Sequence, residues 1–259
     1  MTDSSRSLPI RREPPRFRQV QVVRTVELTP YLVRVTLGGH EFDGLVIDEP
    51  AASVRVLVPA SETGDLVIPN WQGNEFLLPD GARPPIRTFT PRRFDPASNE
   101  LDVDVVIHDG GVASDWASGA EPGGLAAVSG PGRGYTIAPD ATGFLLGGDE
   151  SAIPAISQLL ETIPAGIPTT VHIEVRHEAA RLDLPGDATV EWHLRSPETG
   201  PGDALVAAIA AEEIPEGTRV WCAGEAASVQ AIRIDLFKQR GLPRSIATIR
   251  GYWKRDRAG

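Results

Sequence analysis

The chain has 259 residues with 35 acidic against 25 basic side chains, which gives a formal net charge of −10. This balance disfavours a non-specific nucleic-acid binder and a polybasic membrane-surface protein, because both need a net basic face. No stretch approaches the roughly 20 apolar residues that span a bilayer, so we expect no stable membrane association and a cytoplasmic location. The Arg/Pro-rich residues 1–16 are expected to form a flexible N-terminal arm.

The first half of the chain predicts β-structure, because short runs of Val, Ile, Leu and Thr are separated by Gly, Pro and Asp. Residues 101–108 show the clearest pattern, with apolar side chains at every second position, as in a half-buried strand. Six such strands between turn signals predict a small antiparallel β-barrel over residues 17–139. The strands are predicted at 18–28, 31–38, 53–59, 86–94, 101–108 and 124–129.

After residue 139 strands alternate with helical segments, which predicts an open, mostly parallel, Rossmann-like α/β sheet over residues 140–259. Sheets of this kind bind ligands outside the carboxyl ends of their strands, so the loops after residues 148, 176 and 223 are of most interest. Strands are predicted at 144–148, 169–176, 189–195, 218–223 and 245–252, and helices at 152–162, 203–212 and 226–240.

One segment of the predicted barrel combines a cation, a ring and hydroxyl groups. Alternation places Arg87 and Phe89 on one face of a strand and Thr88 and Thr90 on the other, until Pro91 interrupts the ladder. Such a group can hold a phosphate, stack on a flat ring and hydrogen-bond the edge of that ring. An edge strand with solvated arginines is the alternative, and these residues taken alone favour it.

A second segment begins at His108, where two glycines permit a tight turn into a short helix. Free backbone N–H groups near Ala113 and Ser114 would then point outward as an anion site. Taken singly, His108 also suits an ordinary strand end and Trp116 an ordinary core position.

A third segment lies between an apolar strand and a helix, from Gly147 to Ala155. It matches neither the G-x-G-x-x-G fingerprint nor a Walker loop. Ser151 still suits a helix N-cap, and the start of this helix is a candidate site for a pyrophosphate. Asp149 and Glu150 would oppose a pyrophosphate that came close.

Taken together, these segments resemble the siderophore-interacting proteins, which are flavin-dependent ferric-siderophore reductases related to ferredoxin–NADP reductases. The resemblance extends from about residue 17 to Lys254 and rests on segments that occur in the family's order. They are IRTFTPRR (86–93), IHDGGVASDWA (107–117), SGPGRGY (129–135), LLGGDESAIPAI (145–156), VWCAGEAASVQAIR (220–233) and RGYWKR (250–255).

The resemblance implies that the barrel binds FAD. In the family's Arg-x-Tyr-Thr motif, here Arg87, Phe89 and Thr90, the cation meets the flavin phosphates, the ring stacks beside the isoalloxazine and the hydroxyl bonds near N5. Phe89 stands where tyrosine is usual, which limits this position to packing. The other implied FAD-binding residues are Thr88, His108, Gly111, Ala113, Ser114 and Trp116.

The resemblance also implies a nicotinamide-nucleotide site in the second half, at two turns and at the segment after the second strand. Arg176 and Arg181 favour NADPH, because a cation at this place binds the 2′-phosphate, whereas Glu178 weakens this choice and NADH is the alternative. The implied residues are Gly148, Asp149, Glu150, Ser151, Arg176, Arg181, Gly224, Glu225 and Ala226.

The implied substrate is a ferric siderophore of the catecholate or hydroxamate type, reduced to Fe(II) by a monomeric enzyme without a catalytic side chain of its own. Because ferric catecholates are anionic, a cationic mouth is expected from Arg55, Arg133, Arg250 and Lys254, although each also suits an ordinary surface position. No H-E-x-x-H motif and no two-His-one-carboxylate cluster occurs at a readable spacing, so no protein-bound metal is expected.

Two other functions remain open at this point. The first is a general reductase of free flavin or quinone, and the second is a non-catalytic siderophore-binding protein that has lost flavin. Retention of Arg87, Phe89 and Thr90 argues against the second.

Overall fold

The computed structural model describes residues 16–60, 64–72, 75–196 and 198–255. The predicted N-terminal arm therefore lies outside the described residues except for Arg16, whose guanidinium is 3.4 Å from the Glu41 carboxylate. Within the described ranges, no helix is both long enough and apolar enough to span a lipid bilayer.

The first half of the chain contains nine strands, one α-helix and a short 3-10 helix over His40–Phe42 among its described residues. All six predicted strands are present, but residues 86–94 form two strands, and a further pair of short antiparallel strands was not predicted. The elements are β1 (Arg18–Thr29), β2 (Leu32–Gly38), β3 (Ser53–Leu57), β4 (Asn70–Gln72), β5 (Glu75–Leu77), β6 (Ile86–Phe89), β7 (Pro91–Asp95), β8 (Glu100–Val106), α1 (Val112–Ser118) and β9 (Leu125–Gly132).

Seven of these strands form one antiparallel sheet in the order β6-β3-β9-β1-β2-β8-β7. Only Thr90 separates β6 from β7, although these strands are the two edges of the sheet, so the chain itself draws the sheet into a barrel. This explains why residues 86–94 are two strands, since β6 pairs with β3 and β7 pairs with β8. Alternate side chains such as Val54, Val56 and Val103 fill the barrel.

The described residues of the second half form five parallel strands and three α-helices, and the bounds of the strands and of the first two helices lie within two residues of the prediction. The third predicted helix, 226–240, is an α-helix followed by a π-helical turn over Asp235–Gln239. The elements are β10 (Gly143–Asp149), α2 (Ile153–Thr162), β11 (Thr169–Val175), β12 (Thr189–Leu194), α3 (Asp203–Ala211), β13 (Thr218–Glu225), α4 (Ala226–Ile234) and β14 (Ala247–Trp253).

The five strands run in the order β12-β11-β10-β13-β14, with helices on both faces. On one face α2 packs through Ile156 and Leu159, in a cluster that also takes in Ala51 from the barrel domain. On the other face α3 and α4 pack around a cluster that includes Cys222. Burial raises the pKa of the Cys222 thiol to about 12, so this thiol is a packing residue.

The two domains are joined by donors of the second domain that bond to backbone carbonyls of the first. Arg250 of β14 donates from Nη1 to the Ala51 carbonyl at 2.8 Å and from Nη2 to the Gly134 carbonyl at 2.6 Å. Gln158 of α2 donates to the Pro91 carbonyl at 2.6 Å. These bonds fix α2 and β14 against the barrel, next to the strand break at Thr90.

Arg250→Gln should lower the free energy of unfolding by about 1–3 kcal/mol, because the shorter amide leaves part-buried carbonyls without their charged donor. Urea unfolding followed by tryptophan fluorescence measures this change. The matched control is Lys254→Gln, since this exposed side chain lies beyond the end of β14 and should change stability by less than about 0.5 kcal/mol. Equal unfolding midpoints for the two variants would contradict the role given to Arg250.

Candidate functional site

The candidate binding crevice of the second domain lies at the carboxyl ends of the neighbouring strands β10 and β13. From β10 the chain continues to β11 and β12 on one side of that strand, and it later returns to β13 on the other side. The boundary between β10 and β13 is therefore the topological switch point, where sheets of this kind bind ligands. A Cβ on Gly148 would lie 2.4 Å from the Ala152 Cβ and 2.9 Å from the Ala223 carbonyl. Glycine at this position therefore lets the turn before α2 pack closely onto the strand ends.

The carboxylate of Asp149 links the strand ends around this crevice. Its carboxylate accepts bonds from the Ser151 N–H at 3.0 Å, the Glu225 N–H at 2.9 Å and the Trp253 Nε1–H at 2.7 Å. Burial raises the pKa of this carboxyl group. Asp149 thus joins the ends of β10, β13 and β14, and its oxygens are occupied by donors of the chain itself.

The other two acids predicted at the crevice are engaged as well. Glu225 caps α4 by accepting bonds from the Ala227 and Ser228 N–H groups at 2.5 and 3.0 Å. Glu150 accepts from the Arg176 N–H at 2.8 Å and from its Nε at 3.0 Å. Each of these carboxylates accepts hydrogen bonds from the chain itself. Its repulsion of a pyrophosphate is therefore weaker than the sequence suggests.

The two arginines predicted to select NADPH lie in different surroundings. Arg176 is bound to Glu150 and also donates from Nη2 to the Ile107 carbonyl of the barrel domain at 3.1 Å. Arg181 makes one exposed ion pair with Glu178 at 2.8 Å. Exposed pairs of this kind contribute little free energy, so Arg181 is the cation of the two that a new anion can recruit more easily.

In the barrel domain, Arg87 is a half-buried cation. It donates to the carbonyl of its neighbour Ile86 at 2.9 Å, and among the described residues no carboxylate forms an ion pair with it. Burial lowers the pKa of this guanidinium. A desolvated cation gains most from an anion that comes from outside the chain, and a phosphate fits this requirement.

The residues that follow Arg87 differ in burial. Thr88 is exposed and pairs in register with Arg55 of β3, whereas Phe89 is half-buried and packs against the barrel core. Thr90 is buried and shares a side-chain hydrogen bond with Tyr252 of β14. The hydroxyl of this motif is therefore in direct contact with the second domain.

The aromatic pair at the end of β14 connects the two candidate sites. Tyr252 reaches Thr90 of the barrel, and the next residue, Trp253, donates to Asp149 in the crevice. The Tyr252 ring also packs edge-on against the Trp221 ring, with centroids 6.3 Å apart. The crevice and the barrel motif are consequently neighbours.

The turn after β8 folds back on itself, as its two glycines predict. The His108 N–H donates to the Ser114 Oγ at 2.8 Å, and Gly110 has a φ of +72°, which favours glycine. A Cβ on Gly111 would lie 2.4 Å from the His108 ring. This turn borders an interdomain groove of about 390 Å³ whose lining includes Tyr31, His108, Ser114, Arg176 and His177.

Two of the residues implied for FAD binding have a packing role in this structure. Ala113 and Trp116 of α1 both contact the barrel core, where Ala113 is buried and Trp116 is half-buried. The position of Trp116 agrees with the core interpretation that the sequence left open for this residue.

The four cations predicted for the substrate do not form one group. Arg133 and Arg250 line a common cavity of about 410 Å³, and Arg219, which is paired with Asp140 at 2.7 Å, lines it too. Arg55 is exposed on β3 beside Thr88, and neither it nor Lys254 is part of that lining. Arg250 is also committed to the domain junction, so Arg133 is the exposed cation of this cavity.

One expectation from the sequence is corrected by the structure. His172, Glu191 and His193 form a two-His-one-carboxylate cluster, although no such cluster was readable in the sequence. The two histidines are 21 residues apart in the chain, but they lie on the neighbouring parallel strands β11 and β12. Polar residues at alternate positions of an otherwise apolar strand, His172 and Glu174, were the available signal.

Known proteins resemble this chain over both domains. The family model of the siderophore-interacting FAD-binding domain matches residues 21–135, and that of the siderophore-interacting protein matches residues 141–256. Ferric vibriobactin reductase ViuB of Vibrio cholerae is 31% identical over 248 residues, which cover 93% of this chain and 90% of that protein.

Two further proteins extend the comparison. The NADPH-dependent ferric-chelate reductase of Escherichia coli is 36% identical over 149 residues, which cover 57% of this chain and 58% of that protein. The crystal structure of a siderophore utilization protein from T. fusca has a TM-score of 0.83 and 35% identity, covering 94% of this chain and 95% of that one. On this fold and these similarities, the chain belongs to the siderophore-interacting protein family.

Proposed function

We propose that this protein is an FAD-dependent reductase of ferric siderophores that takes its electrons from NADPH. FAD would bind to residues 17–139 and the nicotinamide nucleotide to residues 140–259. The observation that carries the proposal is the environment of Arg87. This half-buried cation has no carboxylate partner in the described chain, and it lies on the same strand as Phe89, which Thr90 directly follows. The match to an FAD-binding family model and the names of the relatives support it.

The residues present at the barrel fit FAD. Arg87 offers a planar guanidinium for a phosphate group, and Phe89 offers a ring beside which a flat heterocycle can pack. Thr90 offers a hydroxyl whose position is fixed by Tyr252. The folded turn at His108 and Ser114 would hold the remaining phosphate or the adenosine.

When bound, FAD supplies the chemistry: it accepts two electrons as a hydride from a nicotinamide nucleotide and passes them one at a time to Fe(III). The chain's own contribution is position. Asp149 holds the end of β14 at the crevice through Trp253, and Tyr252 holds it at the barrel motif through Thr90. A nucleotide bound in the crevice would thereby lie beside the strand that carries Arg87.

The substrate class follows from the chemistry of iron. Catecholate and hydroxamate oxygens hold the small, highly charged Fe(III) far better than Fe(II), so one-electron reduction releases the metal. Ferric catecholates are anionic, and Arg133 in its cavity and Arg55 beside Thr88 are the exposed cations that would attract them. We also propose that the protein is a monomer and that it acts in the cytoplasm, where FAD and NADPH are available.

Anaerobic mixing with NADPH and ferric chelates separates this proposal from its alternatives. We expect the flavin absorbance to bleach and then return as a chelator traps Fe(II). Bleaching without trapped Fe(II) would instead support a general flavin or quinone reductase. Colourless protein that cannot take up FAD would support a non-catalytic siderophore-binding protein.

Arg87→Gln should weaken FAD binding by about 10- to 100-fold, because hydrogen bonds from a charged group contribute about 1.5–3 kcal/mol. Reconstitution of FAD-free protein, followed by flavin fluorescence, measures the affinity. Arg93→Gln is the matched control, since Arg93 is exposed on β7 and should leave the affinity unchanged. If Arg87→Gln binds FAD as tightly as the unmodified protein does, Arg87 is not part of the FAD site.

The unmodified protein should have a higher kcat/KM for NADPH than for NADH. Arg181→Ala should lower kcat/KM for NADPH by roughly tenfold and leave that for NADH unchanged, because only NADPH carries the 2′-phosphate. Glu178→Gln is the matched variant, since it frees Arg181 from its exposed partner and should not lower NADPH use. A preference of the unmodified protein for NADH would overturn the assignment.

Arg133→Ala and Arg55→Ala should each raise KM for a ferric catecholate by about two- to fivefold, because exposed charge pairs contribute up to about 1 kcal/mol. The KM for NADPH should not change. Steady-state rates at varied chelate concentration measure the effect, with Arg93→Ala as the control cation. If neither KM changes in either variant, these arginines do not form the substrate mouth.

A further inference from the structure

Two imidazole rings and two carboxylates meet on the face of the parallel sheet that α3 covers. His172 lies in the middle of β11, and Glu191 is its register partner on β12. His193 follows two positions along β12, so its side chain leaves the same face of the sheet. Glu212 comes directly after the last residue of α3 and reaches the same cluster.

The distances in this cluster are those of a metal site. His172 Nδ1 and His193 Nε2 are 2.9 Å apart, and Glu191 Oε2 is 3.8 Å from His172 Nδ1. The candidate ligand atoms of these three residues all lie within 4.8 Å of one another. Metal–nitrogen bonds measure about 2.0–2.1 Å, so two imidazole nitrogens on one ion are separated by about 3 Å when adjacent.

Glu212 sets the proton on His172. Its Oε1 lies 3.0 Å from His172 Nε2, and an ionised carboxylate can only accept a hydrogen bond. Nε2 therefore carries the proton, and the lone pair of Nδ1 faces His193 and Glu191. A carboxylate behind an imidazole is the arrangement that orients metal-binding histidines and raises their basicity.

One of the candidate metal ligands is buried, and another is exposed to solvent. The His172 side chain is 2% exposed, so its ring cannot turn away from the cluster, whereas the Glu191 side chain is 55% exposed. His193 is half-buried between them. An ion can therefore enter from solvent beside Glu191, and water can complete its coordination.

We propose that His172, His193 and Glu191 bind a divalent transition-metal ion, with Glu212 as a positioning residue. Two imidazoles and one carboxylate suit Zn²⁺, Ni²⁺, Cu²⁺ and Fe²⁺, whereas Mg²⁺ and Ca²⁺ prefer oxygen ligands alone. The site is independent of the proposed reductase activity. It lies under α3, while the barrel packs on the opposite face of the sheet, against α2.

The test is calorimetric titration of the full chain with ZnCl₂ in a buffer that does not chelate metal. We expect one equivalent of Zn²⁺ to bind at micromolar concentration. His193→Asn should weaken this binding at least tenfold, whereas His40→Asn, which alters an exposed histidine outside the cluster, should leave it unchanged. Zn²⁺ should also raise the Tm of the unmodified protein and not that of His193→Asn.

Two further variants complete the test. Glu191→Gln removes an exposed ligand and should weaken Zn²⁺ binding without harm to folding. Glu212→Gln should weaken it by about 10- to 100-fold although Glu212 does not touch the ion, which is the effect of losing a carboxylate behind a ligating histidine. No saturable Zn²⁺ binding to the unmodified protein, or native affinity in His193→Asn, would show that the cluster is a hydrogen-bonded histidine pair and overturn the proposal.

Discussion

The relative position of the two domains depends on side-chain donors that reach across to backbone carbonyls. Arg250, Gln158 and Arg176 come from β14, α2 and the end of β11, and each bonds to a carbonyl of the barrel half. An electron path from a nucleotide to an iron chelate needs both domains to be held in one arrangement. The bonds from these three side chains hold the crevice beside Thr90, so the geometry of the site follows from the junction.

The electrostatic potential at the candidate site depends on where individual charged residues lie, not on the net charge of −10. The acids nearest the crevice are each committed to donors of the chain, as Asp149 and Glu225 are to backbone N–H groups. Arg87, in contrast, has no acidic partner in an ion pair among the described residues. An acidic protein can in this way present local positive potential to phosphates and to anionic chelates.

The sequence predicts most of the elements and much less of the contacts. Strand and helix bounds follow from periodicity, because the side chains that set it are local in the chain. Pro91 predicted an interruption of the ladder, but the division of residues 86–94 into β6 and β7 was missed, since it depends on which partner each half of the segment pairs with. The role of Arg250 could not be read either, because its acceptors are carbonyls that any residue supplies. His172 and His193 meet only through the register of two parallel strands.

The histidine cluster and the redox site share a strand but not a face. β11 carries His172 in its interior and leads to Arg176, which reaches the barrel from its end. β12 is an edge strand of the described sheet, where it pairs with β11 and packs through Val190 and Trp192 against the core cluster on the α2 side. A metal ion shared by His172 and His193 would tie that edge to its neighbour, and its contribution would be to the stability of the parallel sheet and not to electron transfer.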